Sequence, residues 1–194
     1  MILFIAPKNT GLERCRKIAE TLIDKSKIKL IRGEDIPFFV EKSIQEDKNI
    51  IGITGEDLFK EYILNTRNSK LKILKRIAWE DNLALFKKPV LCLLGPKNKT
   101  LDEIPKRLRV CINKKYSKLA KKFLSRVQYS KGITFEKLYF SGSTEEVFIN
   151  NIADLVIDIV YSGKSMKEAG LKIYEKIFES DIVIIGGRND NSIN

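Results

Sequence analysis

Histidine is absent from all 194 residues. Without imidazole, Ser-His-Asp and Cys-His nucleophilic mechanisms are excluded, as is any metal centre that depends on histidine. Cysteine is scarce. Cys15, Cys92 and Cys111 are far apart and odd in number, and two of them sit in apolar runs. That pattern predicts buried reduced thiols of a cytoplasmic protein, not a disulfide frame or a zinc site. Long apolar stretches are lacking too. The run Ile2 to Ala6 is broken at once by Pro7 and Lys8, too early for a signal peptide, and nothing approaches the ~20 apolar residues of a membrane span. Acidic residues are outnumbered, 25 against 36 basic, for a net charge of +11. This favours an anionic partner: a nucleic acid, a nucleotide or a phosphorylated metabolite. The basic residues are interleaved with acids and not with aromatics, so an RNA platform ranks last among these.

What is present is a globular composition, 43% hydrophobic and 31% charged. Ile2–Ala6, Ile28–Ile31 and Ile50–Gly55 read as strands, each followed by a polar turn. Helices are expected from about Leu12, over Phe38–Ile44 and over Glu56–Tyr62. Three β-turn-α units in about 60 residues point to parallel strands with right-handed crossovers. Residues 65–75 read as an exposed lysine-rich excursion. Pro89–Pro96 and Leu108–Ile112 read as strands. A helix carries Tyr116, Leu119, Ala120, Phe123, Leu124 and Val127 on one stripe, with a solvent-facing basic side at Lys118, Lys121, Lys122 and Arg126. Phe135–Phe140 is a strand, and Ser143 to Asn151 a capped helix. A last helix is expected from Met166 through Ile173, Ile177 and Phe178, then a strand over Ile182–Ile185. The expected architecture is α/β and two-lobed, each lobe a mixed, mostly parallel sheet flanked by helices. The first lobe comprises 1–94 with 167–194 and the second 95–166, with the ligand in a cleft between them.

The chemistry gathers around Ile152 to Met166, a buried strand, a hydroxyl-and-glycine turn and a helix start. Backbone N–H groups at a helix start are unpaired and carry partial positive charge. Ser162 and Ser165 add hydroxyl donors, Gly163 allows close backbone approach, and Lys164 adds a full charge. Gly163-Lys164-Ser165 matches the tail of a P-loop, but that pattern needs glycine where Asp158 stands. An acid four residues before the turn suits ribose plus phosphate instead, with Asp158 accepting from sugar hydroxyls. Arg32-Gly33-Glu34-Asp35-Ile36-Pro37 and Gly52-Ile53-Thr54-Gly55-Glu56-Asp57 follow strands, where open α/β sheets bind ligands. Lys8 follows the first strand in the same way. Glu145 and Glu146 read first as a helix N-terminus and second as ligands.

Taken together these blocks resemble the ATP phosphoribosyltransferase catalytic domain. The family's Arg-x-x-Asp-Ile-Pro is Arg32 to Pro37, its Gly-Ile-Thr-Gly-x-Asp is Gly52 to Asp57, and its Gly-Ser-x-Glu is Gly142 to Glu145. Its Ala-Asp-x-x-x-Asp-x-x-x-Thr-Gly-x-Thr becomes Ala153-Asp154 through Asp158 to Ser162-Gly163-Lys164-Ser165. The chain departs from the family where Leu12 and Glu13 follow Gly11 in place of an arginine, at Ile50 and Phe148, and in placing Lys164 between the two turn serines.

The resemblance implies a type II periplasmic-binding-protein-like fold and magnesium-dependent phosphoribosyl transfer from phosphoribosyl pyrophosphate to N1 of ATP, the first step of histidine biosynthesis. It implies that Ser162, Gly163, Lys164 and Ser165 hold the 5-phosphate, that Glu145 and Asp158 hold the ribose hydroxyls, and that Lys8 lies near the pyrophosphate. Arg32, Asp35, Gly52, Thr54 and Gly55 would border the nucleotide. No acid/base residue is assigned and no dedicated metal ligands are expected. The resemblance is to the short form of the family, which works as a homo-oligomer, at least a dimer, with a partner resembling the histidyl-tRNA synthetase core. The alternative is a non-catalytic nucleotide or small-anion binding protein on the same fold.

Overall fold

The computed structural model describes residues 3–187. Ile2, expected in the first strand, and residues 188–194 lie outside them. The opening alternation is as expected: β1 (Leu3–Pro7), α1 (Glu13–Leu22), β2 (Ile28–Ile31), α2 (Ile36–Gln45), β3 (Ile50–Gly55) and α3 (Glu56–Asn65). Helix α1 turns Cys15 and Ala19, one turn apart, onto the sheet. Helix α2 begins at Ile36, earlier than expected, because Pro37 falls in its first turn. There a missing N–H breaks no helical bond. Then come β4 (Lys72–Ile77), β5 (Val90–Pro96), β6 (Arg107–Asn113), α4 (Ser117–Lys131), β7 (Thr134–Phe140), α5 (Thr144–Ile149), β8 (Leu155–Val160), α6 (Lys164–Glu168), β9 (Leu171–Glu179) and β10 (Ile182–Gly186).

The strands form two five-stranded mixed sheets, ordered β2-β1-β3-β10-β4 and β7-β6-β8-β5-β9. In the first, β1 is parallel to β2 and β3, and β10 runs against β3 and β4. In the second, β6 is parallel to β7 and β8, and β5 runs against β8 and β9. Each sheet thus has four strands in one direction and one reversed. The first core packs Ile5, Ile36, Val40, Phe59, Val183 and Ile185, and the second packs Val90, Cys92, Leu94, Cys111, Val156 and Val160. Apolar runs such as Val90–Leu94 and Ile182–Ile185 are buried residue after residue because both faces of those strands are covered.

The chain divides into two compact units, and three expectations need correction. It leaves the first unit between Ala78 and Trp79 and returns between Ser180 and Asp181, not near Leu94 and Met166. The reason is pairing: β5 and β9 are hydrogen-bonded to one another in the second sheet, so both belong to the second unit. The stretch expected as a helix through Ile173, Ile177 and Phe178 is the edge strand β9. Its register against β5 slips at two places, between Leu91 and Cys92 and between Leu93 and Leu94, so its side chains lose strict alternation and a four-residue spacing imitates a helix. The lysine-rich excursion continues into β4, an edge strand whose Lys72, Lys75 and Arg76 leave Ile73 to pack on the first core.

Candidate functional site

The parallel strands β6 and β8 bring their C-terminal ends together on the second unit, with Val110, Cys111 and Ile112 beside Leu155, Val156 and Ile157. Asp158 extends this row and Asn113 ends β6. The half-buried carboxylate of Asp158 takes a donor on each oxygen. Thr144 Oγ1, fully buried at the start of α5, donates to Oδ2 at 2.7 Å. Asn113 Nδ2 donates to Oδ1 at 2.9 Å, and the Ile159 N–H reaches the same oxygen at 2.7 Å. Burial raises the pKa of Asp158 above the usual carboxyl value. The bonds from Thr144, Ile159 and Asn113 pull against that, and the nearby Glu145 adds to it.

After β8 the chain turns through Ser162 and Gly163 into α6. Gly163 is buried, with φ +74°, in the left-handed region where a side chain is strained. A Cβ there would also meet Leu85 at 3.3 Å. The Lys164 N–H bonds Ser162 Oγ at 3.3 Å. Lys164 points outward, its side chain 80% exposed, with only a 3.9 Å ion pair to Glu168. Ser165 Oγ donates to Glu145 Oε1 at 2.8 Å. Glu145 Oε2 accepts from Ser143 at 3.3 Å, and Ser143 in turn caps α5 through the Glu146 N–H. Asp158, Glu145 and Ser165 are therefore joined through Thr144 and its neighbour, with Ser162, Gly163 and Lys164 on the same turn. Glu146 is exposed and contributes its backbone N–H to that cap.

Asp154, from the same sequence block, is engaged elsewhere. Arg109 holds it with Nη2 to Oδ1 at 2.9 Å and with its backbone N–H to Oδ2 at 2.8 Å. The Arg109 side chain is the largest cause holding the Asp154 carboxyl below its usual pKa. This pair ties β6 to the entry of β8.

The first unit holds the other expected residues. Lys8 is exposed at the end of β1, its N–H bonded to Ile31 O at 2.7 Å. Asn9 Oδ1 accepts the Gly33 N–H at 2.8 Å, and Thr54 Oγ1 donates to Gly33 O at 3.1 Å. Asn9 after β1 and Thr54 near the end of β3 thus both bond Gly33 in the turn after β2, next to Arg32. Arg32 pairs with Glu34 at 2.6 Å, and the Asp35 side chain is exposed. Gly52 stands apart: it is buried within β3, where a Cβ would strike Ile36 at 2.6 Å, so it lets α2 lie close on the strand.

Sequence reading missed Asn113 and the role of Thr144. An asparagine closing an apolar strand carries no local mark, and its partner lies 45 positions away. Thr144 fills the variable position of the Gly-Ser-x-Glu block beside Glu145, and only the fold shows that it is fully buried against Asp158.

Two mixed sheets of this order, each carrying helices, define the architecture of the type II periplasmic binding proteins. The solved periplasmic aliphatic sulphonate binding protein SsuA from Escherichia coli is similar over 97% of this chain and 62% of its own, with a TM-score of 0.62 at 13% identity. The ATP phosphoribosyl transferase (HisG:HisZ) complex from Thermotoga maritima is similar over 98% of this chain and 89% of its own, with a TM-score of 0.71 at 20% identity. The model of the HisG family, ATP phosphoribosyltransferase, matches residues 32–194, and the chain belongs to that family. It is 28% identical to the ATP phosphoribosyltransferase of Caldicellulosiruptor bescii, over 91% of this chain and 75% of that one. It is 31% identical to that of Sulfurisphaera tokodaii, over 82% of this chain and 50% of that one. Among the described residues no helix is long and apolar enough to cross a membrane, and no group of three His, Cys, Asp or Glu side chains could hold a metal ion.

Proposed function

We propose that this chain transfers a phosphoribosyl group from phosphoribosyl pyrophosphate to N1 of ATP, the first step of histidine biosynthesis. The observation that carries the site assignment is the bond from Ser165 to Glu145 beside Asp158, which gathers hydroxyl donors and carboxylate acceptors at one sheet end. The Ser162–Ser165 turn takes the 5-phosphate, with Lys164 supplying charge. Glu145 and Asp158 accept the ribose hydroxyls. Lys8 is assigned to the pyrophosphate, and Arg32, Asp35, Thr54 and Gly55 to the nucleotide.

Displacement of pyrophosphate builds positive charge on the ribose as the leaving group departs. Two carboxylates fixed against the sugar stabilise that charge, and holding both substrates in register supplies much of the rest. A strong general base is unnecessary, which suits a chain without histidine. Glu145 and Asp158 offer too few oxygens for an all-protein magnesium cage. That donor set suits an ion brought in on the pyrophosphate with its own waters, which would neutralise charge on the leaving group. We assign the chain to the cytoplasm, in keeping with three free buried thiols. We further assign it a separate regulatory subunit, by analogy with the two-component Thermotoga maritima complex, and a homo-oligomeric state on the family resemblance alone.

Thermal unfolding with added ligand tests the site. Phosphoribosyl pyrophosphate at about 100 times its Kd should stabilise the fold by about 2.7 kcal/mol. No rise in midpoint with that ligand, alone or with magnesium, contradicts the assignment.

A further inference from the structure

Asn113 spends both ends of its side-chain amide. Its Oδ1 accepts the Lys115 N–H at 3.1 Å and so caps the short helical turn that leads into α4. With the oxygen fixed there, the NH2 end points the other way, and it donates to Asp158 Oδ1 at 2.9 Å. The cap therefore sets which end of the amide faces the carboxylate. Aspartate would serve the cap as well as asparagine, since capping needs only the oxygen. Only the amide can donate to an ionised carboxylate. Capping alone leaves the choice of asparagine unexplained; the bond to Asp158 explains it.

We propose that Asn113 is a positioning residue for phosphoribosyl pyrophosphate, fixing Asp158 in the orientation and the ionised form that accept the ribose hydroxyls. The inference rests on the site assignment above and adds a residue to it. Thr144 covers one carboxylate oxygen from α5, and Asn113 with the Ile159 N–H covers the other from β6 and the backbone. Two donors thus fill Oδ1 and one lies on Oδ2, so what remains open to a ligand is the second lone pair of Oδ2, and protein donors fix its direction of approach.

The charge balance has the same consequence. Glu145 on α5 faces Asp158 and repels its charge. Cys111 on β6 and Cys92, opposite Asp158 on β5, also face it, but burial pushes their thiols up to about 11 and about 12, so both are neutral near pH 7. Burial disfavours the ionised Asp158, and the donors that oppose burial are Thr144, Ile159 and Asn113. Removing the Asn113 donor therefore shifts Asp158 toward its protonated form, and the acid limb of kcat/KM moves to higher pH.

The test uses the full chain with ATP and magnesium, comparing wild type, Asn113→Asp and Asn113→Ser. Both variants keep an oxygen for the cap, so the thermal midpoint of Asn113→Ser should stay near wild type. Asn113→Asp sets a second carboxylate against Asp158 and should lose some stability by repulsion, which makes Asn113→Ser the deciding variant. KM for phosphoribosyl pyrophosphate should rise by about tenfold in Asn113→Asp and less in Asn113→Ser, by the usual weight of a hydrogen bond to a charged group. KM for ATP should be unchanged, and the acid limb should move up in both. Calorimetry with phosphoribosyl pyrophosphate on the same proteins reads the affinity loss apart from turnover. Wild-type KM, affinity and acid limb in both variants overturn the inference while leaving the site assignment intact. Binding losses in Asn113→Ser that merely track lost thermal stability overturn it as well, since they mark a structural role. A wild-type chain that binds no phosphoribosyl pyrophosphate overturns the site assignment and this inference together.

Discussion

Ser165 donates its hydroxyl hydrogen to Glu145 at 2.8 Å, across 20 positions of sequence. A hydroxyl assigned to the 5-phosphate and a carboxylate assigned to the ribose are thus each other's partner. A ligand that engages both must separate them, and it replaces each lost bond with one of its own. The net gain at Ser165 is therefore a difference between two hydrogen bonds. Ser165→Ala should weaken phosphoribosyl pyrophosphate binding by only about 1 kcal/mol, roughly fivefold, with the midpoint hardly changed. Calorimetry on the variant checks both parts.

Lys164 is the exposed cation of the turn and stands between the two serines. Its ion pair to Glu168 is long and solvated, so it contributes little to stability. Lys164→Ala should leave the unfolding midpoint unchanged and raise KM for phosphoribosyl pyrophosphate by about threefold to tenfold. The difference from wild type should shrink as salt screens it. Kinetics at two ionic strengths measure this directly.

Gly163 combines a left-handed backbone with a buried position against Leu85. Gly163→Ala should cost about 1–2 kcal/mol of stability, because the turn must either hold a strained residue or open. If the turn opens, phosphoribosyl pyrophosphate affinity falls with it. Denaturant unfolding and calorimetry on one preparation give both quantities.

Arg109 and Asp154 predict an acid-dependent difference. Arg109 holds the Asp154 pKa below the unfolded value, so the pair's stabilisation is fully present above the usual carboxyl pKa, about 3.9. It is lost as pH falls through the depressed folded value. Both side chains are more than a third exposed, so solvent screening keeps the effect small. Asp154→Asn should unfold a few degrees below wild type near neutral pH, and the two midpoints should converge in acid. Thermal scans across that range check the sign.

Much of the fold was legible because buried strands in α/β sheets are written as unbroken apolar runs. Val90–Leu94 and Ile182–Ile185 could be read without knowing their partners. β9 could not, since its two register slips arise from pairing with β5 and leave no periodic mark in the sequence. The unit boundaries were misplaced for the same reason: membership of β5 and β9 is set by long-range bonds.

The candidate site divides along the same line. Ser162, Gly163 and Ser165 form a local turn, and local turns are visible as residue types at fixed spacing. Asp158 drew notice by occupying the position where a P-loop needs glycine. Asn113 and Thr144 became visible only when β6 and α5 were brought against β8. Gly52 carries a packing role that its place in a family block does not reveal, since a Cβ there would strike Ile36.

The central claim is tested most directly by incubating the purified chain with ATP, phosphoribosyl pyrophosphate and magnesium, with and without a regulatory subunit, and following the N1-substituted nucleotide by absorbance and mass. The account predicts phosphoribosyl-ATP and pyrophosphate in equal amounts, with Asp158→Asn folded but at least tenfold lower in kcat/KM for phosphoribosyl pyrophosphate. Tight binding of that ligand with no product under either condition would contradict it, and would leave a binding protein on the same fold.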